Sequence, residues 1–182
     1  MKEKRIGPAV IRLLQGDLTT CEVDGVINVT GKKLVPKVPG ETPAVPDVTP
    51  EPEGTADELD EISIRMGNAD GVRAQHVLSA PSLQTTATSG AHKIRKTMRT
   101  ILETAQEKGF KSLAIPAIGS GINRYPLERC AEILLQELAK SVAQPDNSLE
   151  KIVFVLDNQK GYRIFEQALE DFEAQFEQEA DA

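Results

Sequence analysis

The chain has 182 residues, 40% hydrophobic and 27% charged, the size and balance of one globular domain with a sizeable core. No run approaches the roughly 18–20 apolar residues of a membrane span, Cys21 and Cys130 lie far apart, and only His76 and His92 accompany them; a membrane or secreted protein, structural zinc and a disulfide framework are therefore not expected, and a cytoplasmic domain without a cofactor is. The net charge of −7 resides entirely in Glu166–Ala182, seven acids without a base, so residues 1–165 are neutral and duplex nucleic acid is not an expected partner.

In chain order, strand-length apolar runs occur at Val10–Leu14, Val26–Val29, Val77–Ala80, Leu113–Ala117 and Ile152–Leu156. They are short, rich in Val and Ile, and nearly continuous, the pattern of strands covered on both faces. Between the second and third, residues 35–52 hold six of the eleven prolines. Proline lacks the backbone donor and disfavours helix before it, so this stretch predicts an extended surface loop. Thr55–Gly67 follows with a cap residue, early acids and a terminal glycine, which predicts a short helix.

Three longer helices are predicted from 3.6-residue periodicity. Ile94, Met98, Ile101, Leu102 and Ala105 form one stripe, closed by Gly109. Leu127, Leu134, Leu135, Leu138 and Val142 form the second, entered through Pro126 and broken by Gln144-Pro145. Ile164, Phe165, Ala168, Leu169, Phe172 and Phe176 form the third, within an acidic helix and tail at about 160–182 whose acids predict a solvated face and a frayed end. Strands alternating with helices predict a single three-layer α/β domain.

Two segments carry chemistry. In Leu113–Pro126 a buried strand runs into Gly119-Ser120-Gly121 and then a helix; glycines let the backbone approach a ligand, and successive N–H groups offer an anion cradle suited to a diphosphate. No lysine stands in a P-loop position and the third glycine of a dinucleotide fingerprint is missing. The second segment is Gln15-Gly16-Asp17-Leu18-Thr19, followed by Asp24-Gly25-Val26-Ile27-Asn28. Asp17 at a strand end can accept from a base amino group and Asn28 can bond a sugar hydroxyl, or each can serve as turn former or cap. His76 reads as a structural histidine, His92 as an exposed one, and Cys130 as a buried thiol on a helix without a histidine nearby in sequence. Lys32 and Lys33 stand where they can reach a phosphate or simply face solvent.

Taken together, the GDLT after the first strand, the VDGVINVT segment and PAIGSGINRYPLERCAEIL resemble the macro domain, the ADP-ribose-binding module, in order and approximate spacing. The resemblance covers the chain apart from residues 31 to about 75. It implies a central mixed sheet of about six strands between helices. It also implies that Asp17 holds the adenine amino group, that the Leu18 amide meets the purine, and that Asn28 lies near the distal ribose. Gly119, Ser120, Gly121, Ile122 and Asn123 would line the diphosphate and ribose through backbone amides, with Arg124 supplying a cation.

The chain departs from the family pattern at four points. Asn28-Val29-Thr30-Gly31 lacks the second asparagine usual in members that hydrolyse ADP-ribose linkages. The proline-rich stretch replaces the glycine-rich first loop, Asn123-Arg124 replaces an aromatic and a glycine, and Asp157-Asn158 stands where an aromatic often flanks adenine. These departures favour binding of ADP-ribose, an ADP-ribosylated protein or a related nucleotide diphosphate without turnover. The alternatives are an ADP-ribosyl hydrolase with a non-standard site, and a degenerate fold that contacts protein partners through the proline-rich loop or the acidic tail.

Overall fold

The Val/Ile-rich runs form the parallel centre of a mixed sheet. The computed structural model describes residues 2–28, 65–67, 73–79, 87–118 and 126–180. Among them the strands are β1 (Lys2–Ile6), β2 (Ala9–Gln15), β3 (Gly25–Asn28), β4 (Arg65–Gly67), β5 (His76–Ser79), β6 (Ser112–Pro116) and β7 (Lys151–Leu156), and the helices are α1 (Ala87–Glu107), α2 (Leu127–Val142) and α3 (Gln159–Ala180). The sheet order is β1-β2-β7-β6-β3-β5-β4. β2, β7, β6, β3 and β5 run parallel, while β1 and β4 close the two edges antiparallel. The mixed sheet and its helices fit the three-layer α/β/α fold expected, with seven strands among the described residues where about six were anticipated; the three described α-helices all pack on one face, and the Leu18–Thr20 turn lies on the other.

Side chains alternate across the sheet with the period of two that a pleated strand imposes. One face presents Ile11, Leu13, Ile27, Leu78, Leu113, Ile115, Ile152 and Phe154 to the apolar stripes of all three helices. The opposite face carries the smaller Val26, Ala114, Val153 and Val155, packed with Cys21, Val23 and Ala74. The five buried residues in a row at Ile152–Leu156 thus serve both layers.

Helix limits follow the local chemistry. α1 ends two residues before Gly109, which adopts φ +71, the left-handed conformation a terminal glycine supplies. Pro126 precedes the first turn of α2 at φ −63. Between α1 and α2 lies an ionic cluster that the periodicity did not reveal. Glu137, 3% exposed, has Arg95 Nε 3.2 Å from Oε1, Arg99 Nη2 3.2 Å from Oε2 and Lys140 Nζ 3.3 Å from Oε1.

One expectation is corrected. Thr55–Gly67 was expected to be a helix, but Arg65–Gly67 is the edge strand β4, paired with Val77–Ser79; cap and end signals are local, whereas this pairing comes from a distant strand, and residues 55–64 lie outside the described set. The acids of α3 were expected to form a solvated face. Glu166, Glu170 and Glu173 keep 36%, 47% and 33% of their side-chain surface exposed and at the same time pair with β1, Lys2 with Glu170 and, at 3.4 Å, with Glu166, and Lys4 with Glu173. The Lys2 ammonium holds the Glu170 carboxyl below the usual carboxylate range. The proline-rich segment 35–52 lies outside the described residues.

Candidate functional site

A parallel sheet brings the residues following its strands to one edge. After β2 comes Asp17, after β7 Asp157, after β6 Ile118, and β3 ends on Asn28. From β2 to β3 there are three strand spacings, so Asp17 and Asn28 stand about 14 Å apart along the edge. That span suits an elongated ligand with a base at one end and a sugar at the other. Open α/β sheets bind ligands outside the carboxyl ends of their strands.

Asp17 is fixed by its own turn. Its backbone is extended (φ −111, ψ 130), and its Oδ1 accepts the Thr19 N–H at 3.0 Å, capping the single 3-10 turn Leu18–Thr20. The Asp17 carbonyl accepts the Thr20 hydroxyl at 2.7 Å. Gly16 N–H donates to the Leu156 carbonyl at 3.0 Å, so the first residue beyond β2 is tied to the end of β7. Leu18 is half-buried against the small-residue face of the sheet. Asn28 is 5% exposed, in register with Ser79 at the end of β5. A polar side chain buried this far at a strand end needs hydrogen-bond partners, and Asn28 has them.

The structure thus places Asp17, Leu18 and Asn28 on one edge. Gly119, Ser120, Gly121, Ile122, Asn123 and Arg124, and likewise Lys32 and Lys33, lie outside the described residues. β6 leads toward that loop through Ile118, fully buried, whose N–H donates to the Pro116 carbonyl at 2.8 Å.

Sequence reasoning noted Asp157-Asn158 only as the place where an aromatic was missing. In the structure this pair is an organised polar unit. Asn158 Nδ2 donates to Asp157 Oδ1 at 2.7 Å, and Asn158 Oδ1 accepts the Gly161 N–H at 2.8 Å in the first turn of α3. An Asn three residues before a glycine, just ahead of a helical stripe, is the signal that could have identified it. Beside the pair, an open cavity of about 520 Å³ lies between the first turns of α2 and α3, with walls from Ala117, Leu127, Leu156 and Ile164.

The other titratable candidates are structural. His76 stacks on Phe110 with ring centroids 5.2 Å apart, and His92 is exposed on α1. Cys21 and Cys130 are both buried and free. Burial pushes the Cys21 thiol up, and pushes Cys130 up to about 11. A thiol with so little thiolate at neutral pH is a poor nucleophile. Iodoacetamide at pH 7.5 is accordingly expected to leave the native protein unlabelled at Cys130 and to label it after denaturation, read by mass spectrometry. Because the folded-state value lies above the unfolded one, the unfolded chain loses this proton first, and stability falls as pH rises from about 9 to about 11. Prompt labelling of the native protein would contradict the buried assignment. Among the described residues no group of three His, Cys, Asp or Glu is placed to hold a metal ion, and no helix is long and apolar enough to cross a membrane.

The Macro domain family model matches residues 58–134, a segment that begins inside the stretch the sequence resemblance left uncovered. An uncharacterised protein of Aquifex aeolicus is 26% identical over 172 residues, which cover 87% of this chain and 97% of that protein. Among solved structures, the Oceanobacillus iheyensis macrodomain with ADP superposes with a TM-score of 0.70 at 17% identity, covering 96% of this chain and 97% of that one. The Trypanosoma brucei macrodomain in complex with ADP-ribose gives 0.62 at 18% identity, over 87% of this chain and 68% of that one. The family match covers residues 58–134, and over nearly the whole chain the fold is that of the solved macrodomains.

Proposed function

We propose that this chain is a binding module for ADP-ribose or a related nucleotide diphosphate, acting without turnover. The observation that carries this reading is the alignment of Asp17 and Asn28 about 14 Å apart on one carboxyl edge of the parallel strands, with Leu18 packed between turn and sheet. The structural neighbours from Oceanobacillus iheyensis and Trypanosoma brucei, bound to ADP and ADP-ribose respectively, support the ligand class. In this reading Asp17 accepts from the base, Asn28 bonds the distal sugar, and the amides of Gly119–Asn123, with Arg124 beside them, meet the diphosphate.

The absence of turnover rests on the residue run after Asn28. Val29, Thr30 and Gly31 offer one hydroxyl and no amide or carboxyl, so no paired polar group follows the asparagine to direct a water at a glycosidic carbon.

Calorimetric titration with ADP-ribose, ADP and NAD tests the binding. Micromolar or tighter ADP-ribose binding is expected, and Asp17→Asn, which keeps the cap acceptor while losing the charge, is expected to weaken it about tenfold, the loss of one charge-assisted hydrogen bond. Incubation with a mono-ADP-ribosylated protein is expected to release no ADP-ribose. No heat with any of the three ligands would overturn the binding reading and leave a scaffold for protein contacts; release of ADP-ribose would make the protein a hydrolase.

A further inference from the structure

We propose that the furrow between α2 and α3 is a docking site for a partner protein, which enters it as a cationic amphipathic helix. The apolar stripe of α3 is wider than its packing uses. Phe165 and Leu169 are fully buried, Phe165 against the ring of Phe154 in β7. Ile164, Ala168 and Phe172, each one turn from the next, touch the core but keep part of their surface uncovered. A helix that only had to cover the sheet would carry polar residues at these three positions.

The three residues line one side of an open furrow of about 850 Å³, and Glu128, Glu132 and Gln136 of α2 line the other, again at a spacing of four. The surface is therefore mixed, an apolar row facing a polar one. Rows at i, i+4 and i+8 are helix ridges, and the element whose own ridge fits between two of them is another helix. Ala168, small and set between Ile164 and Phe172, makes the notch where a large apolar side chain of the partner enters. Along α3 the lining runs from Arg163 to Gln175, about 18 Å, which is a little over three turns of a partner helix.

Charge sets the sign of the partner. Glu128, Glu132 and Asp171 line the furrow, and among the described lining residues Arg163 is the single base. Glu132 is compensated by Arg129 at 2.9 Å. Among the described residues neither Glu128 nor Asp171 is ion-paired; Asp171 accepts instead from Gln167 Nε2 at 2.9 Å. A Lys or Arg on the partner thus meets an unneutralised carboxylate on either helix, while nucleic acid, anionic lipid and acidic polypeptide meet repulsion. Neither Asp17 nor Asn28 lines the furrow, so this surface is independent of the nucleotide reading.

Fluorescence anisotropy of the intact chain with three labelled synthetic peptides of about 18 residues tests the proposal. The first carries Leu on one helical face and Lys on the other, the second replaces Lys by Glu, and the third replaces Leu by Ser. The first is expected to bind with a micromolar Kd, and the other two at least about tenfold more weakly. Ala168→Arg, which fills the notch, and the pair Glu128→Lys with Asp171→Lys are each expected to weaken the first peptide about tenfold or more. The pair Glu177→Gln with Glu179→Gln, further along the acidic segment, is expected to leave it within about twofold. Thermal unfolding verifies that each variant folds. Equal binding of the Lys peptides with and without Leu, or a loss confined to the Glu177 and Glu179 variant, would reduce the interaction to general attraction by an acidic chain and overturn the proposal. So would failure of all three peptides to bind. Self-association of the parent chain in sedimentation, abolished by Ala168→Arg, would put a second copy in the furrow and overturn the assignment to a partner protein.

Discussion

Removing the three cations around Glu137 together, as Arg95→Ala, Arg99→Ala and Lys140→Ala, is expected to lower stability by about 3 kcal/mol at pH 7. The asymmetry of the cluster sets the size of this effect. The carboxylate is 3% exposed, while the side chains of Arg95, Arg99 and Lys140 are 42%, 57% and 65% exposed. Without the cations a buried charge loses its compensation. Without the carboxylate the cations return to water, so Glu137→Gln is expected to cost only about 1 kcal/mol. Denaturant unfolding at pH 7 of the triple variant with and without Glu137→Gln distinguishes this account from simple loss of side-chain packing. Adding Glu137→Gln recovers most of the deficit where an uncompensated buried charge causes it, and none where packing does.

Gly25→Val is the second large expected effect, a loss of about 3 kcal/mol from overpacking. A Cβ at position 25 would lie 2.8 Å from Phe110 Cε2, and 3.0 Å from both Phe110 Cδ2 and Leu113 Cδ2. Neither neighbour yields easily. The Phe110 ring is stacked between this position and the imidazole of His76, and Leu113 is fully buried in β6. Gly25 therefore exists to admit an aromatic ring over the start of β3, not to provide an unusual backbone angle. Combining Gly25→Val with Phe110→Leu is expected to recover part of the loss, because both changes act on one contact. Additive losses in the double variant would place the strain elsewhere.

The parts of the fold that were legible in the sequence are those where burial dictates composition. Ile152–Leu156 is apolar at every position because both faces are covered, and α2 shows its stripe because only one is. β1 was not legible: Lys2, Glu3, Lys4 and Arg5 lie on an edge strand, where charge guards against pairing with other chains and erases the hydrophobic signal. Glu137 was missed for a related reason, since a glutamate in a helix ordinarily marks the solvent face, and only the fold brings Arg95 and Arg99 to it from α1. Asp17 and Asn28 were singled out because each stands at or near the end of an apolar strand run. Asp157 follows one too, but it was read only against a stacking ring it cannot imitate, not for the hydrogen bond it accepts from Asn158.

The pairing of β2 with β7 has a consequence for how the molecule comes into being. A strand at residues 9–15 is hydrogen-bonded along its length to one at 151–156, so nearly the whole sequence separates two partners at the heart of the sheet. Contacts so distant in sequence raise the entropic cost of the folding transition state and slow the reaction. During synthesis the growing chain carries β2 without its neighbour until the last of the parallel strands leaves the ribosome, and the apolar residues Ile11 and Leu13 must meanwhile avoid other partners. The charged hairpin strand β1, made first and adjacent in sequence, can pair with β2 at once and cover one of its two edges during that wait.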